Sequence, residues 1–267
     1  MGPVNISRFF VSLTIVATLG SVFSAQSAET SEAKGLRLAL QYEAANDGFK
    51  GEVSDMELVL IDAYGQRVTR ELEGKVLEMK GDGDRSLSIF KSPLDVKGTK
   101  MLTHSHKKED DDQWLYLPSV KRVKRISSTL KSGSFMGSEF SYEDLGSQEP
   151  EKFNYKWLRS EKKGKLEVDV IERTPKDKSG YSKQIMWMVG KINNPSKIEY
   201  YDRRGELLKV ATFEAYKKYV VGAKTIYRPG SIKMDNIQTK KKSIFTWKTR
   251  KPGTSVSADE FEQRSLK

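Results

Sequence analysis

The chain has 267 residues, 47 Lys and Arg against 36 Asp and Glu for a formal charge of +11, two His and no Cys. The lack of Cys excludes a disulfide framework, a thiol nucleophile and a thiolate metal site, and two histidines leave little from which to build a Ser–His–Asp arrangement. The length suits one large domain whose stability comes from its core and its hydrogen-bond ladder.

The chain opens with one cation, Arg8, before the apolar run "FFVSLTIVATLGSVF" (9–23) and the small residues "SAQSA" (24–28). The run is shorter than the roughly 20 residues of a membrane span and rich in Ser and Thr. Residues 1–28 therefore read as a secretory signal peptide cleaved after Ser27 or Ala28, leaving a periplasmic or secreted domain over 29–267. No Cys follows the run, so attachment of a lipid in the lipoprotein manner is excluded. Removal of Arg8 leaves 46 cations against 36 anions, a net of +10. Outside the cytosol that excess points to anionic lipid head groups or acidic protein surfaces, and not to nucleic acid.

Ala33, Leu36, Leu40 and Ala44 recur at helical spacing before the stop "NDG" (46–48), which predicts one helix. From Met56, Leu58 and Leu60 onward the period is two. "DAYG" is a hairpin turn, and "GQRVTRELEGKVLEMK" is its returning arm. "RSLSIFKSP", "KMLTHSHK", "QWLYLP" and "KRVKRIS" continue as short strands. After residue 150 the strands are "KFNYKWLRSE", "KLEVDVIER", "YSKQIMWMVG", "PSKIEYYD", "ELLKVATFEAYKKY", "AKTIYRPGSIKMDNIQ" and "KSIFTWKTRK". The turns "EKKGK", "NNPS", "DRRGE" and "VVGAK" are short, so neighbours are antiparallel. Ten or more strands with few helices predict a sheet that curls, into a closed barrel or a half-barrel wrapped around something. Alternation breaks over "LKSGSFMGSEFSYEDL" (130–145), read as a mobile loop with a short helix over Met136 to Leu145. "SADEFEQRSLK" (257–267) reads as a terminal helix capped by Ser257.

Most apparent catalytic signals have plainer readings. His104 and His106 share one side of a strand near "EDDD" (109–112), but a metal site needs a third converging ligand. A solvated strand end and an acidic turn explain them. "STLK" (128–131) has Ser-x-x-Lys spacing without the helix start and Lys-Thr-Gly strand that the chemistry requires. "GDGDR" (81–85) is a hairpin turn rather than a phosphate loop. No catalytic residue, metal or cofactor is expected.

What stands out is excess apolar material. "IMWMVG" places Ile185, Trp187 and Val189 on one side and Met186 and Met188 on the other. "WLYLP" sets Trp114 and Tyr116 against Leu115 and Leu117, and "IFTW" sets Phe245 and Trp247 against Ile244. Such strands are either covered on both faces or turn one face to an apolar cavity, a use that suits Met and aromatic side chains.

The stretch "DDQWLYLPSVKRVKRISSTLKSGSFMGSEFSYEDL" (111–145) resembles the signature of the outer membrane lipoprotein-sorting protein family, a periplasmic group related to the lipoprotein carrier LolA. The matching positions are Trp114, Tyr116, Leu117, Pro118, Arg122, Arg125, Ser134, Phe135, Met136, Gly137, Ser138, Phe140, Tyr142 and Asp144. The resemblance implies a mainly β fold with few helices, a curled antiparallel half-open β-barrel with a helical lid over an apolar face. It also implies a non-enzymatic carrier of lipid or lipoprotein acyl chains, working beside inner-membrane exporters of the RND type. On that reading Trp114, Tyr116, Leu117, Trp187 and Trp247 line the cavity, and Phe135, Met136 and Phe140 plug it. Lys121, Arg122, Lys124 and Arg125 form a basic rim for anionic head groups, a membrane surface or an acidic transporter surface. The alternative is an accessory that docks on an exporter and regulates it without carrying cargo.

Overall fold

The computed structural model describes residues 1–2 and 28–267; the apolar run expected to be a signal peptide lies outside them. Among the described residues no helix is long and apolar enough to cross a membrane. The one α-helix, α1 (Ser31–Asn46), begins at Thr30, whose hydroxyl accepts the Ala33 N–H at 3.1 Å. Its period is as expected, but its buried face is not. Leu36 and Leu40 are each 44% exposed, Ala33 and Ala44 also face outward, and Gly35 and Ala39 are buried instead. The cause is close approach. A Cβ on Gly35 would lie 2.8 Å from the Trp157 backbone nitrogen, so only the smallest residues of the helix fit against that strand.

Fifteen strands follow: β1 (Gly51–Ile61), β2 (Arg67–Leu77), β3 (Arg85–Ser92), β4 (Lys100–His104), β5 (Asp112–Leu117), β6 (Arg122–Ile126), β7 (Phe153–Lys163), β8 (Leu166–Pro175), β9 (Tyr181–Val189), β10 (Asn194–Asp202), β11 (Leu207–Glu214), β12 (Lys217–Val221), β13 (Lys224–Arg228), β14 (Ser231–Asn236) and β15 (Lys242–Pro252). Thirteen form one antiparallel sheet in the order β6-β5-β4-β3-β2-β1-β15-β14-β11-β10-β9-β8-β7. Two meanders thus run outward from a seam at β1 and β15, and β6 and β7 are the edges. "ELLKVATFEAYKKY" is broken at Ala215 (φ 53°), whose carbonyl accepts the Gly230 N–H at 3.1 Å. There β12 and β13 leave the sheet as a separate hairpin, while β11 and β14 pair directly.

Because β6 and β7 are opposite edges, the connection between them, residues 127–152, has to travel across the sheet. In a flat sheet twelve strand spacings would separate those edges by about 58 Å. The connection lies over one face and touches strands of both meanders. It is not the helix expected over 136–145. Two 3-10 turns, Phe135–Gly137 and Tyr142–Leu145, are tied by a bridge between Ser134 and Ser141. Met136 (φ 51°) and Gly137 (φ 78°) are consecutive left-handed residues, which a right-handed helix cannot contain. The cover is therefore irregular chain and not a helical lid. The tail likewise makes two 3-10 turns, Ala258–Phe261 and Gln263–Leu266, with no side-chain cap from Ser257.

The core has two parts. The larger lies on the face crossed by residues 127–152 and includes Met56, Leu58, Leu72, Phe90, Met101, Leu115, Phe135, Phe140, Met186, Met188 and Phe245. The smaller lies on the opposite face of β3, β4 and β5, where Leu87 and Leu102 meet Phe261 and Leu266 from the tail.

Candidate functional site

The crossing segment is fixed by its apolar side chains and by a buried polar network. Phe135, 1% exposed, sits between Phe90 and Tyr142 with ring centroids 5.8 and 5.9 Å away, and Phe140 packs 4.9 Å from Phe245. Full burial of each is worth about 1.5–3 kcal/mol. The loop closes on itself through Phe135 N–H to Phe140 O at 2.7 Å. From β11, Lys209 Nζ reaches the Asp144 carboxylate at 2.5 Å, with both side chains 4% exposed, and donates to Glu139 O at 3.0 Å. Tyr181 on β9 donates to the other Asp144 oxygen at 2.7 Å. Burial first, then the Asp144 carboxylate, raises Tyr181 and Tyr200 above the usual phenol range, so both stay protonated and Tyr181 remains a donor. Ser243 on β15 accepts the Glu139 N–H at 2.9 Å, Arg70 on β2 donates to Met136 O, and Gln113 on β5 donates to Tyr142 O at 2.9 Å.

Under this segment lies a cavity of about 300 Å³ whose apolar wall includes Met56, Met101, Phe135, Phe140, Phe245 and Trp247. A second cavity, of about 330 Å³, adjoins it beneath the C-terminal end of α1 and residues 146–150. Ile232, Trp247 and Arg250 line both. The second cavity is more polar: Glu43, Asp47, Asp84, Glu149, Arg228 and Arg250 all line it.

The residues singled out from sequence are divided between two faces. Leu117, Phe135, Met136, Phe140 and Trp247 belong to the larger core, and the last four gather around the crossing segment and its cavity. Trp114 and Tyr116 do not join them. Their strand alternation turns them to the opposite face, against the smaller core. Trp187 also faces away, since Met186 and Met188 take the inner positions. Lys197 lies 3.4 Å over its ring, and its indole N–H reaches Glu161 at 3.3 Å.

The basic run is divided as well. Arg122 and Lys124 pair across from Leu117 and Leu115, which puts them on the cavity side of edge strand β6, both exposed. Arg125 pairs across from Trp114 on the other side and meets Asp112. Lys121 precedes the strand in a left-handed turn, φ 49°. His104 and His106 do not converge: the first contacts Phe261 O at 2.6 Å, the second Asp82 at 2.8 Å. The acidic run is matched by cations, Asp110 by Lys131, Asp111 by Lys152 and Asp112 by Arg125.

Sequence reasoning missed the polar members of the inner face. Glu52 lies in phase with Ser54, Met56 and Leu58, and Lys209 in phase with Ala211, so each was visible as a charge on an apolar face. Arg250 was not visible. It stands three residues after Trp247, out of phase in a regular strand. The register shift between Asp55 and Met56 leaves Lys248 as an extra residue on β15, and this bulge turns Trp247 and Arg250 to the same side.

The sheet order, the crossing segment and the covered face define a class, the LolA-like fold. A family model described as "Uncharacterized protein" matches residues 82–267. A crystal structure from Vibrio parahaemolyticus, named provisionally as an outer membrane lipoprotein-sorting protein domain, is 44% identical over 87% of this chain and 98% of its own, with a TM-score of 0.84. A DUF1329 family protein from Desulfovibrio piger is 25% identical over 89% of this chain and 100% of its own, also at 0.84. A LolA superfamily protein from Nitrosomonas europaea, 19% identical over 86% of this chain and 99% of its own, shares the fold at 0.68. No curated protein matches the chain in sequence. The chain belongs to the outer membrane lipoprotein-sorting protein family, and it shares its fold with the LolA superfamily protein.

Proposed function

We propose that this protein is a periplasmic carrier that holds a lipid, or the acyl chains of a lipoprotein, in the cavity beneath residues 134–145 and moves it between membranes. The observation that carries the reading is that cavity: about 300 Å³, walled by Met and Phe side chains, under a segment that crosses the whole sheet. It falls at the lower end of the roughly 300–1,000 Å³ of ligand pockets. Met side chains re-pack around irregular cargo, and each buried methylene returns about 0.8 kcal/mol, so several would hold a lipid without covalent chemistry. The name of the Vibrio relative supports the same cargo class.

The reading includes a sheet curled around the crossing segment into a half-barrel. Two contacts support it. Tyr142 O meets Gln113 on β5, and Asp144, two residues on, meets Tyr181 on β9. Those strands stand nine places apart in the sheet order, roughly 43 Å if flat, a distance two residues cannot bridge. Residues 134–140 act as the gate, with Phe135 and Phe140 filling the interior when no cargo is present. Exposed Arg122 and Lys124, on the same side of edge strand β6, meet anionic head groups at the rim.

A second reading, an accessory that docks on an RND-type exporter, draws on a different surface. The exposed stripe of Ala33, Leu36, Leu40 and Ala44 along α1 is an apolar face available to a partner. Native mass spectrometry of gently extracted protein separates the two. Lipid adducts are expected for the carrier. Clean apo protein in a stable transporter complex would establish the accessory and remove the carrier.

A further inference from the structure

The wall between the two cavities carries a charge imbalance. Arg250, its side chain 5% exposed, lies 4.1 Å over the Trp247 ring. Among the described residues its one aligned hydrogen bond is from Nη1 to Pro229 O at 3.0 Å. Glu52 Oε1 is 2.9 Å from Nε but out of line with that N–H, which has no hydrogen-bond partner. Arg228, 16% exposed, donates to the Asn46 side chain and to Asn46 O at 3.1 Å, and its Nε approaches the same Glu52 at 3.6 Å. Two guanidinium groups thus share one carboxylate, itself 8% exposed. An uncompensated charge and a donor without an acceptor are costly in a buried site, and both are relieved by an anion. Burial also draws Arg250 down to about 10, which still leaves it charged at neutral pH.

The surroundings decide what kind of anion fits. One side of Arg250 opens to the apolar cavity under Phe135 and Phe140, the other to the polar cavity. Asp47 and Glu149 also line the polar cavity and disfavour an anion placed beside them rather than beside the arginines. We propose that Arg250, supported by Arg228, anchors the anionic head group, carboxylate or phosphate, of an acyl lipid whose chain lies in the adjoining apolar cavity. This rests on the carrier reading and specifies its cargo: an amphiphile with one negative group at the root of its chain.

Purified protein titrated with laurate, dodecyl phosphate and dodecanol, followed by calorimetry, tests the assignment. Charge-assisted hydrogen bonds predict that the charged ligands bind about tenfold or more tighter than the alcohol. The tighter of laurate and dodecyl phosphate identifies the head group. Arg250→Gln is expected to erase the preference, bringing laurate and dodecyl phosphate to the affinity of dodecanol. Arg250→Lys retains part of it, and Glu52→Gln, which removes the one carboxylate that both guanidinium groups approach, increases it. If Arg250→Gln does not fold, the Glu52→Gln result decides: no gain in preference overturns the anchor. Chain binding without head-group preference, or a preference that survives Arg250→Gln, overturns the anchor and leaves the carrier standing. Failure of all three ligands to bind removes both.

Discussion

The two faces of β3, β4 and β5 are built from similar residues and have different fates. On one, Leu87, Leu102, Trp114 and Tyr116 are covered by Phe261 and Leu266, both fully buried, and the chain's own tail completes the packing. On the other, Met101 and Leu115 face the crossing segment, and a cavity remains between that segment and the seam of the sheet. The outer face is covered by a terminal segment free to settle where it fits best. The inner face is covered by a segment held at both ends by opposite edges of the sheet. Apolar residues on both sides of a strand therefore signal two covers, and it is how each cover is tethered that leaves room on one side.

The sharpest way to break this contrast is Phe261→Ala. Removal of a fully buried ring from the closed face should cost about 3–5 kcal/mol in denaturant unfolding, with uptake of an environment-sensitive lipid probe per folded molecule unchanged. Altered uptake would mean that the faces are not independent. Phe140→Ala acts on the open face. Its ring already borders a cavity, so the expected loss is about 3 kcal/mol, the low end for such truncations, together with greater probe uptake. Reduced uptake would show that Phe140 is a wall and not a plug.

The polar cavity extends the comparison to pH. Burial raises Asp84 from 3.8 to about 7, so the folded state holds its proton more tightly than the unfolded chain. Stability should then fall as pH rises from about 4 through about 7. Asp84→Asn, which removes that slope, should be more stable than the parent at pH 8 by about 2 kcal/mol after allowance for partial exposure. Parallel stability–pH curves for the two proteins would refute this. The smallest change in stability is expected at the edge. Arg122→Glu with Lys124→Glu should shift unfolding by less than about 0.5 kcal/mol while abolishing binding to anionic vesicles. Retained vesicle binding would remove the rim.

The strands were legible because alternation survives in nearly all of them, and α1 because its period does. Its orientation was not, since a stripe of Leu and Ala reads as the buried face until Gly35 is seen against the backbone at Trp157. Trp114 and Tyr116 were assigned to the cavity because alternation separates the two sides of a strand without saying which is inner. That is decided by a tail some 150 residues further along. Arg250 was hidden by one extra residue, Lys248, which reverses the phase of everything after it. Each miss comes from an interaction distant in sequence or from a break in period, and the best-defined polar feature of the interior lies behind such a break.

The way residues 127–152 join β6 to β7 has a mechanical consequence. Fully drawn out, that length of chain reaches about 90 Å, but only by unwinding its turns and withdrawing Phe135 and Phe140. It works as a drawstring between two hems. On the carrier reading, a swelling that spreads the hems would tighten the string and lift its plug, and a slackening would let the plug drop back, which would make the opening and the width of the purse one degree of freedom.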